Sequence, residues 1–180
     1  MKKILKNIIV GILVITVAVA ITFILRTYFF KFDKELTKDQ KTIIEKYISD
    51  KSNSYLEDGM TFMSTHYFGD RYNDEKLEVY LWVMFSEYDT SSGKFEEYSG
   101  YSIPHVITVN TKNDAFEIIK YEIPKDGSEY KNSINSMFPL AIRGKVLRFY
   151  DTNDYKELLK EHEELINVYE DYSIGEWIIC

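Results

Sequence analysis

The run "IIVGILVITVAVAITFIL", residues 8–25, constrains this chain more than any other stretch. It carries no charge, and thirteen of its eighteen residues are Ile, Leu, Val or Phe. As a helix it rises about 27 Å, close to the roughly 30 Å hydrocarbon core of a bilayer. Inserting such side chains is favourable by roughly 4–8 kcal/mol in sum. Arg26 follows where a long side chain can reach the headgroups, and Tyr28, Phe29 and Phe30 suit the interfacial zone. The expected organisation is a cytoplasmic tail (1–7), a transmembrane helix (8–30) and an extracytoplasmic domain (31–180).

A cleaved export signal is the competing reading. Lys2, Lys3 and Lys6 form an n-region, Ile8 to Val17 an h-region, and Ala18-Val19-Ala20 has the small-x-small form of a cleavage site. Ile21, Phe23, Ile24 and Leu25 would hold that site inside the bilayer, so a retained anchor is preferred and secretion after cleavage is the alternative. The only cysteine is Cys180, so there is no lipobox. Positive charges nearly balance across the span. A short basic tail before a first hydrophobic segment stays inside, which places the N-terminus in the cytoplasm and the domain outside a cell membrane crossed once.

Charge separates the two parts. All 29 acidic residues lie beyond residue 31, whereas five of the 22 Lys and Arg precede residue 32, so residues 32–180 carry a net charge of −12. That argues against nucleic acid, which needs a basic footprint, and equally against a bare anionic membrane surface. One cysteine permits no internal disulfide. An exported domain without disulfides, rich in Lys, Ile, Asn and Tyr, fits an AT-rich Gram-positive bacterium.

Periodicity then orders the domain. Thr37 and Gln40 make a capping-box pattern, and Ile43, Ile44, Tyr47 and Ile48 give residues 38–50 one apolar face. Four strand-like runs follow at 61–68, 76–88, 101–111 and 115–123, the first ended by Gly69-Asp70 and the last by Pro124. In the second, Leu77, Val79, Leu81, Val83 and Phe85 alternate with Tyr80, Trp82 and Met84, so both faces are apolar and the strand is central or covered on each side. The short connections imply antiparallel hairpins. Pro104 belongs at a bulge or an edge-facing position, because it cannot donate to a ladder. Ser99-Gly100 reads as a bulge or loop. A short helix follows residue 124. A longer one then carries a stripe of Tyr155, Leu158, Leu159, His162, Leu165, Ile166 and Tyr169. The class expected is α+β: a helix, a four-stranded antiparallel sheet and C-terminal helices on one face.

Chemistry is sparse. His66, His105 and His162 are the only histidines, and none is spaced for a local metal motif. His162 falls in the helix stripe as a packing residue. His66 and His105 could share a metal with Glu87 only if all three left one sheet face. "DRYND", residues 70–74, lacks the glycine and glutamate of a calcium loop and reads as a solvated hairpin. Glu87, Glu96 and Glu97 read as a solvated face rather than a glycosidase pair. There is no GxSxG and no Gly-rich phosphate loop. No catalytic residue, metal site or cofactor is expected. The surplus lies in aromatics, and Tyr80, Trp82, Tyr88, Tyr98 and Tyr101 are the candidate ligand- or partner-binding residues, alongside a reading of Trp82 as core.

The segments "YLWVMFSEY", "YSGYSIPHVITV" and "YEIPKDGSEYKNSINSMFP" resemble an uncharacterised family of small exported or membrane-anchored domains of clostridia and bacilli. They are also similar to extracellular extensions of BlaR1-like antibiotic-sensor proteins. The resemblance covers about residues 76–139 and implies a domain type, not a reaction. The zinc-protease signature of those sensors is absent. The function expected is a membrane-tethered extracytoplasmic binding or interaction module without catalytic activity, for an envelope protein or small ligand. The alternative is an envelope hydrolase using spatially assembled Glu and His residues.

Overall fold

The computed structural model describes residues 11–21, 36–52, 56, 59–73, 75–91 and 95–177. It divides into two units, Met1–Lys31 and Phe32–Cys180. In the first unit residues 11–21 are helical (α1), and Ile12, Leu13, Val14, Ile15, Val17, Val19 and Ile21 are all exposed. Thr16 returns its hydroxyl to the helix, donating to the Leu13 carbonyl at 2.9 Å. Among the described residues no helix is long and apolar enough to cross a membrane. The expected span, 8–30, extends on both sides of α1 into residues outside those described.

The second unit begins with helix α2, Lys38–Lys51. Its capping box is present: the Gln40 amide N–H donates to the Thr37 hydroxyl, and the Thr37 amide N–H donates to the Gln40 side chain. Four strands follow, β1 (Met60–Asn73), β2 (Lys76–Asp89), β3 (Glu96–Asn110) and β4 (Glu117–Glu122). They form one antiparallel sheet in the order β1-β2-β3-β4, as the short connections require. Helices α3 (Tyr130–Met137), α4 (Leu140–Leu147) and α5 (Asn153–Trp177) complete the chain, with a 3-10 turn at Phe149–Asp151 before α5. The α+β class is as expected, but α4 and that turn were not legible in the sequence.

The C-terminal helices share one face of the sheet, as expected, and α2 covers the other. Alternation along β2 divides the core in two. Leu77, Val79, Leu81, Val83 and Phe85 pack with Ile44 and Ile48 of α2 on one face. Tyr80, Trp82 and Met84 pack with Ile134, Phe138, Ile142, Val146, Phe149 and Leu158 on the other. The sheet is thus the middle of three layers. This is why β2 is apolar on both sides, its residues from Val79 to Glu87 being buried without interruption.

Two bulges also depart from expectation. β1 does not end at Gly69. The register shifts between Tyr67 and Gly69, the glycine takes φ 136°, and pairing continues to Asn73. Only glycine adopts that conformation cheaply. The shift turns Asp70 onto the α2 face opposite Val79, where it is buried, and pairs Arg71 with Glu78. Residues 70–73 are therefore the paired end of the β1–β2 hairpin, as expected, but Asp70 in it is buried rather than solvated. In β3 the extra residue is Tyr98, one before the Ser99-Gly100 dipeptide. Pro104 lies in the part of β3 that precedes pairing with β4, which begins at Val106. The α5 stripe is narrower than expected. Leu158, His162 and Ile166 are buried, while Leu159 and Leu165 are exposed, because one row of the helix meets the sheet.

Candidate functional site

The five aromatic candidates do not form one surface. Tyr80 and Trp82 have no exposed area. The Tyr80 hydroxyl donates to Glu78, and burial with that carboxylate pushes its pKa up. The Trp82 indole N–H donates to the Ser102 hydroxyl at 2.8 Å, and Phe149 and Tyr150 lie against its ring at 4.9 Å. Both are core. Tyr88 is half-buried and stacks on Phe95 at 4.3 Å. Tyr101, opposite Phe85 on the α2 face, stacks on that ring at 5.2 Å. Tyr98 alone is well exposed, at 57 %, where the bulge turns it out of the ladder. Alternation across a two-sided sheet scatters residues that are neighbours in sequence.

The histidines are separated by the same geometry. His66 lies opposite Trp82, and His105 opposite Leu81, so they leave opposite faces. A site joining them with Glu87 is therefore not assembled. Among the described residues no group of three His, Cys, Asp or Glu side chains converges as a metal ion requires. His105 is buried and held at about pKa 4 by burial. Its Nδ1 donates to the Ile103 carbonyl at 3.0 Å, which leaves Nε2 to accept from the Tyr121 hydroxyl at 3.0 Å. His162 is buried between Ser64 Oγ, 3.2 Å from Nδ1, and Ser86 Oγ, 2.9 Å from Nε2, and fastens α5 to β1 and β2. Glu87 is not on a solvated face. It is fully buried, and its carboxylate accepts from the Ser99 hydroxyl at 3.0 Å and the Leu56 amide at 3.2 Å. Glu96 and Glu97 are exposed.

The side chains that do converge line a cleft of about 590 Å³ between β1, the end of α4 and the start of α5. Its floor is aromatic. The His66 ring lies 4.6 Å from Phe149 and 5.0 Å from Phe68. Lys145 and Arg148 stand at the C-terminal end of α4, and Asp151 and Asp154 at the entry to α5. His66 Nε2 is 3.9 Å from Asp154 Oδ2. Burial lowers the pKa of His66 and outweighs Asp154, which raises it, so the imidazole is neutral at pH 7 and can donate at one nitrogen and accept at the other. The only aliphatic hydroxyl among the described residues that line the cleft, Thr152, is committed to the fold. It donates to the Phe149 carbonyl at 2.6 Å and accepts from the Tyr155 amide at 3.2 Å, which makes it the N-cap of α5.

Of the residues weighed for chemistry in the sequence, His66 lines this cleft. Lys145, Arg148, Phe149 and Asp151 fall in α4 and the turn that the sequence reading missed. The one local sign was the mixed run "RGKVLRFYDTND", where cations, aromatics and carboxylates crowd before a helix cap. Comparisons with protein-family models, curated proteins and solved structures gave no match.

Proposed function

We propose that this chain is a membrane-tethered extracytoplasmic binding module without catalytic activity, and that the His66 cleft is its ligand site. The observation that carries this is the cleft itself. Its volume of about 590 Å³ suits a small molecule, and an aromatic floor with a few charged groups at the rim is the usual make-up of such sites. The rings of Phe68, His66 and Phe149 suit a planar or apolar body. Lys145 and Arg148 suit one anionic group, while Asp151 and Asp154 oppose a second. The tether rests on the uncharged run 8–25 and on α1, whose apolar side chains are all exposed. A helix apolar on every side needs lipid or protein around it. The resemblance of residues 76–139 to exported and anchored domains supports the same placement.

The envelope-hydrolase reading draws on one contact, His66 with Asp154. With Thr152 occupied as a cap, that pair has no aliphatic hydroxyl to activate among the described residues of the cleft, and binding is the better-supported reading.

The test is NMR on the full-length chain in non-ionic detergent micelles, titrated with small aryl carboxylates and aryl phosphates. Binding should move the His66 ring resonances and weaken in Arg148→Ala and Phe68→Ala. If no member of the set moves those resonances, or if both variants bind as well as the parent, the cleft is not the site.

A further inference from the structure

A second feature lies beside this cleft and does not depend on it. β1 and β4 are the two outer strands of the sheet, and they differ in how their edges are protected. β4 is short, six residues, carries the exposed Lys120 and is soon followed by Pro124. Shortness, lysine and proline are the usual devices against unwanted strand pairing. β1 has fourteen residues, and from Met60 to Phe68 it contains no proline and no Lys, Arg, Asp or Glu. Its protecting bulge comes only at Gly69. Where β1 lacks these devices, at Met63–Thr65, its edge forms the floor of an open groove of about 480 Å³.

The two walls of this groove come from helices on opposite faces of the sheet. Glu45 of α2 forms one, and Glu161, Glu164, Leu165 and Val168 of α5 form the other. Leu165 and Val168 are 49 % and 58 % exposed, an apolar strip beside a strand edge. Glu164 holds Lys160 at 3.4 Å, and Glu45 accepts from the Thr65 hydroxyl at 3.2 Å. Even so the walls contribute three carboxylates, and residues 32–180 around them carry a net −12.

We propose that the β1 edge at Met63–Thr65 docks an extended segment of a partner protein as a fifth strand, and that this segment alternates apolar with lysine or arginine residues. The alternation follows from the pleat. Ser64 pairs with Met84 and lies on the α5 face, whereas Met63 and Thr65 pair with Phe85 and Val83 on the α2 face. An added strand continues that pattern. Its side chains on one face meet Leu165 and Val168, with Glu161 at the rim, and on the other they meet Glu45. Main-chain hydrogen bonds supply affinity, and the walls choose the sequence. A second copy of this chain is a poor occupant, because it would set Glu45, Glu161 and Glu164 of both copies against each other.

The probe is a fluorescent, end-capped octapeptide of alternating lysine and valine, read by anisotropy against the full-length chain in non-ionic detergent micelles. A block peptide of four lysines then four valines has the same charge and should bind at least about tenfold more weakly. N-methylating every second residue should abolish binding in one frame and spare it in the other, because one edge of an added strand faces β1. Glu45→Gln, which keeps an acceptor for Thr65, should weaken the alternating peptide while leaving the melting temperature unchanged. Three results would overturn the proposal: no binding, equal binding of block and alternating peptides, or equal binding in both N-methylation frames. Self-association that the alternating peptide competes away, seen by light scattering, would instead make a second copy the occupant.

Discussion

Trp82 and Ser102 lie on neighbouring strands, and the indole N–H of the first donates to the hydroxyl of the second at 2.8 Å. The bond matters because Trp82 is fully buried, and a buried indole N–H without a partner is costly. Trp82→Ala should therefore cost about 3–5 kcal/mol in denaturant melts, as for large aromatic truncations in cores. Ser102→Ala should cost about 1–3 kcal/mol, the penalty for stranding one buried donor. A loss below about 1 kcal/mol for Trp82→Ala would place the ring at the surface.

His105 makes stability depend on pH. The unfolded chain takes up a proton on this imidazole near pH 6.5, whereas the folded chain does so only near 4. The contribution is intact above pH 6.5 and is lost as pH falls from there to about 4, a total of about 3 kcal/mol. His66 and His162, also lowered by burial, act in the same direction. Melts of wild type and His105→Gln across this range should converge as pH falls. A constant difference between them would show that His105 takes up its proton as readily folded as unfolded.

Gly100 is needed for close approach rather than for an unusual backbone angle. A Cβ there would sit 2.9 Å from the Phe85 carbonyl oxygen and 3.0 Å from Glu97 Oε1. The carboxylate can move, but the carbonyl belongs to the central strand. Gly100→Ala should destabilise the domain by about 1–3 kcal/mol, the usual cost of overpacking. An unchanged midpoint would mean that β3 shifts to make room.

The tether is tested by fractionation. Blotting of cells that express the chain should place it in the membrane pellet at full-length mass, released by detergent and not by carbonate at high pH. A species in the medium beginning at Ile21 would establish the cleaved-signal alternative.

The sequence by itself determined most of the local elements, α4 and the turn after it excepted, because each depends on short-range physics. Thr37 and Gln40 marked the start of α2, and the alternation in β2 already required cover on both faces. The hairpin spacings were enough for a four-stranded antiparallel order. What the tertiary structure decided was which neighbours in sequence remain neighbours in space. A pleated strand sends Trp82 to one face and Leu81 to the other, so His66 and His105 part company, and the five aromatics divide between core and surface. Glu87 looked solvated among acidic neighbours, yet the ladder places it under Leu56 and Ser99. The His66 cleft needs β1 brought against α4 and α5, which come much later in the chain. The groove at Met63–Thr65 exists because α2 and α5 flank the same outer strand from opposite sides of the sheet. Periodicity reports which face a residue takes on its own element. It does not report which other element will meet that face, since the meeting is settled by burial summed over the whole core.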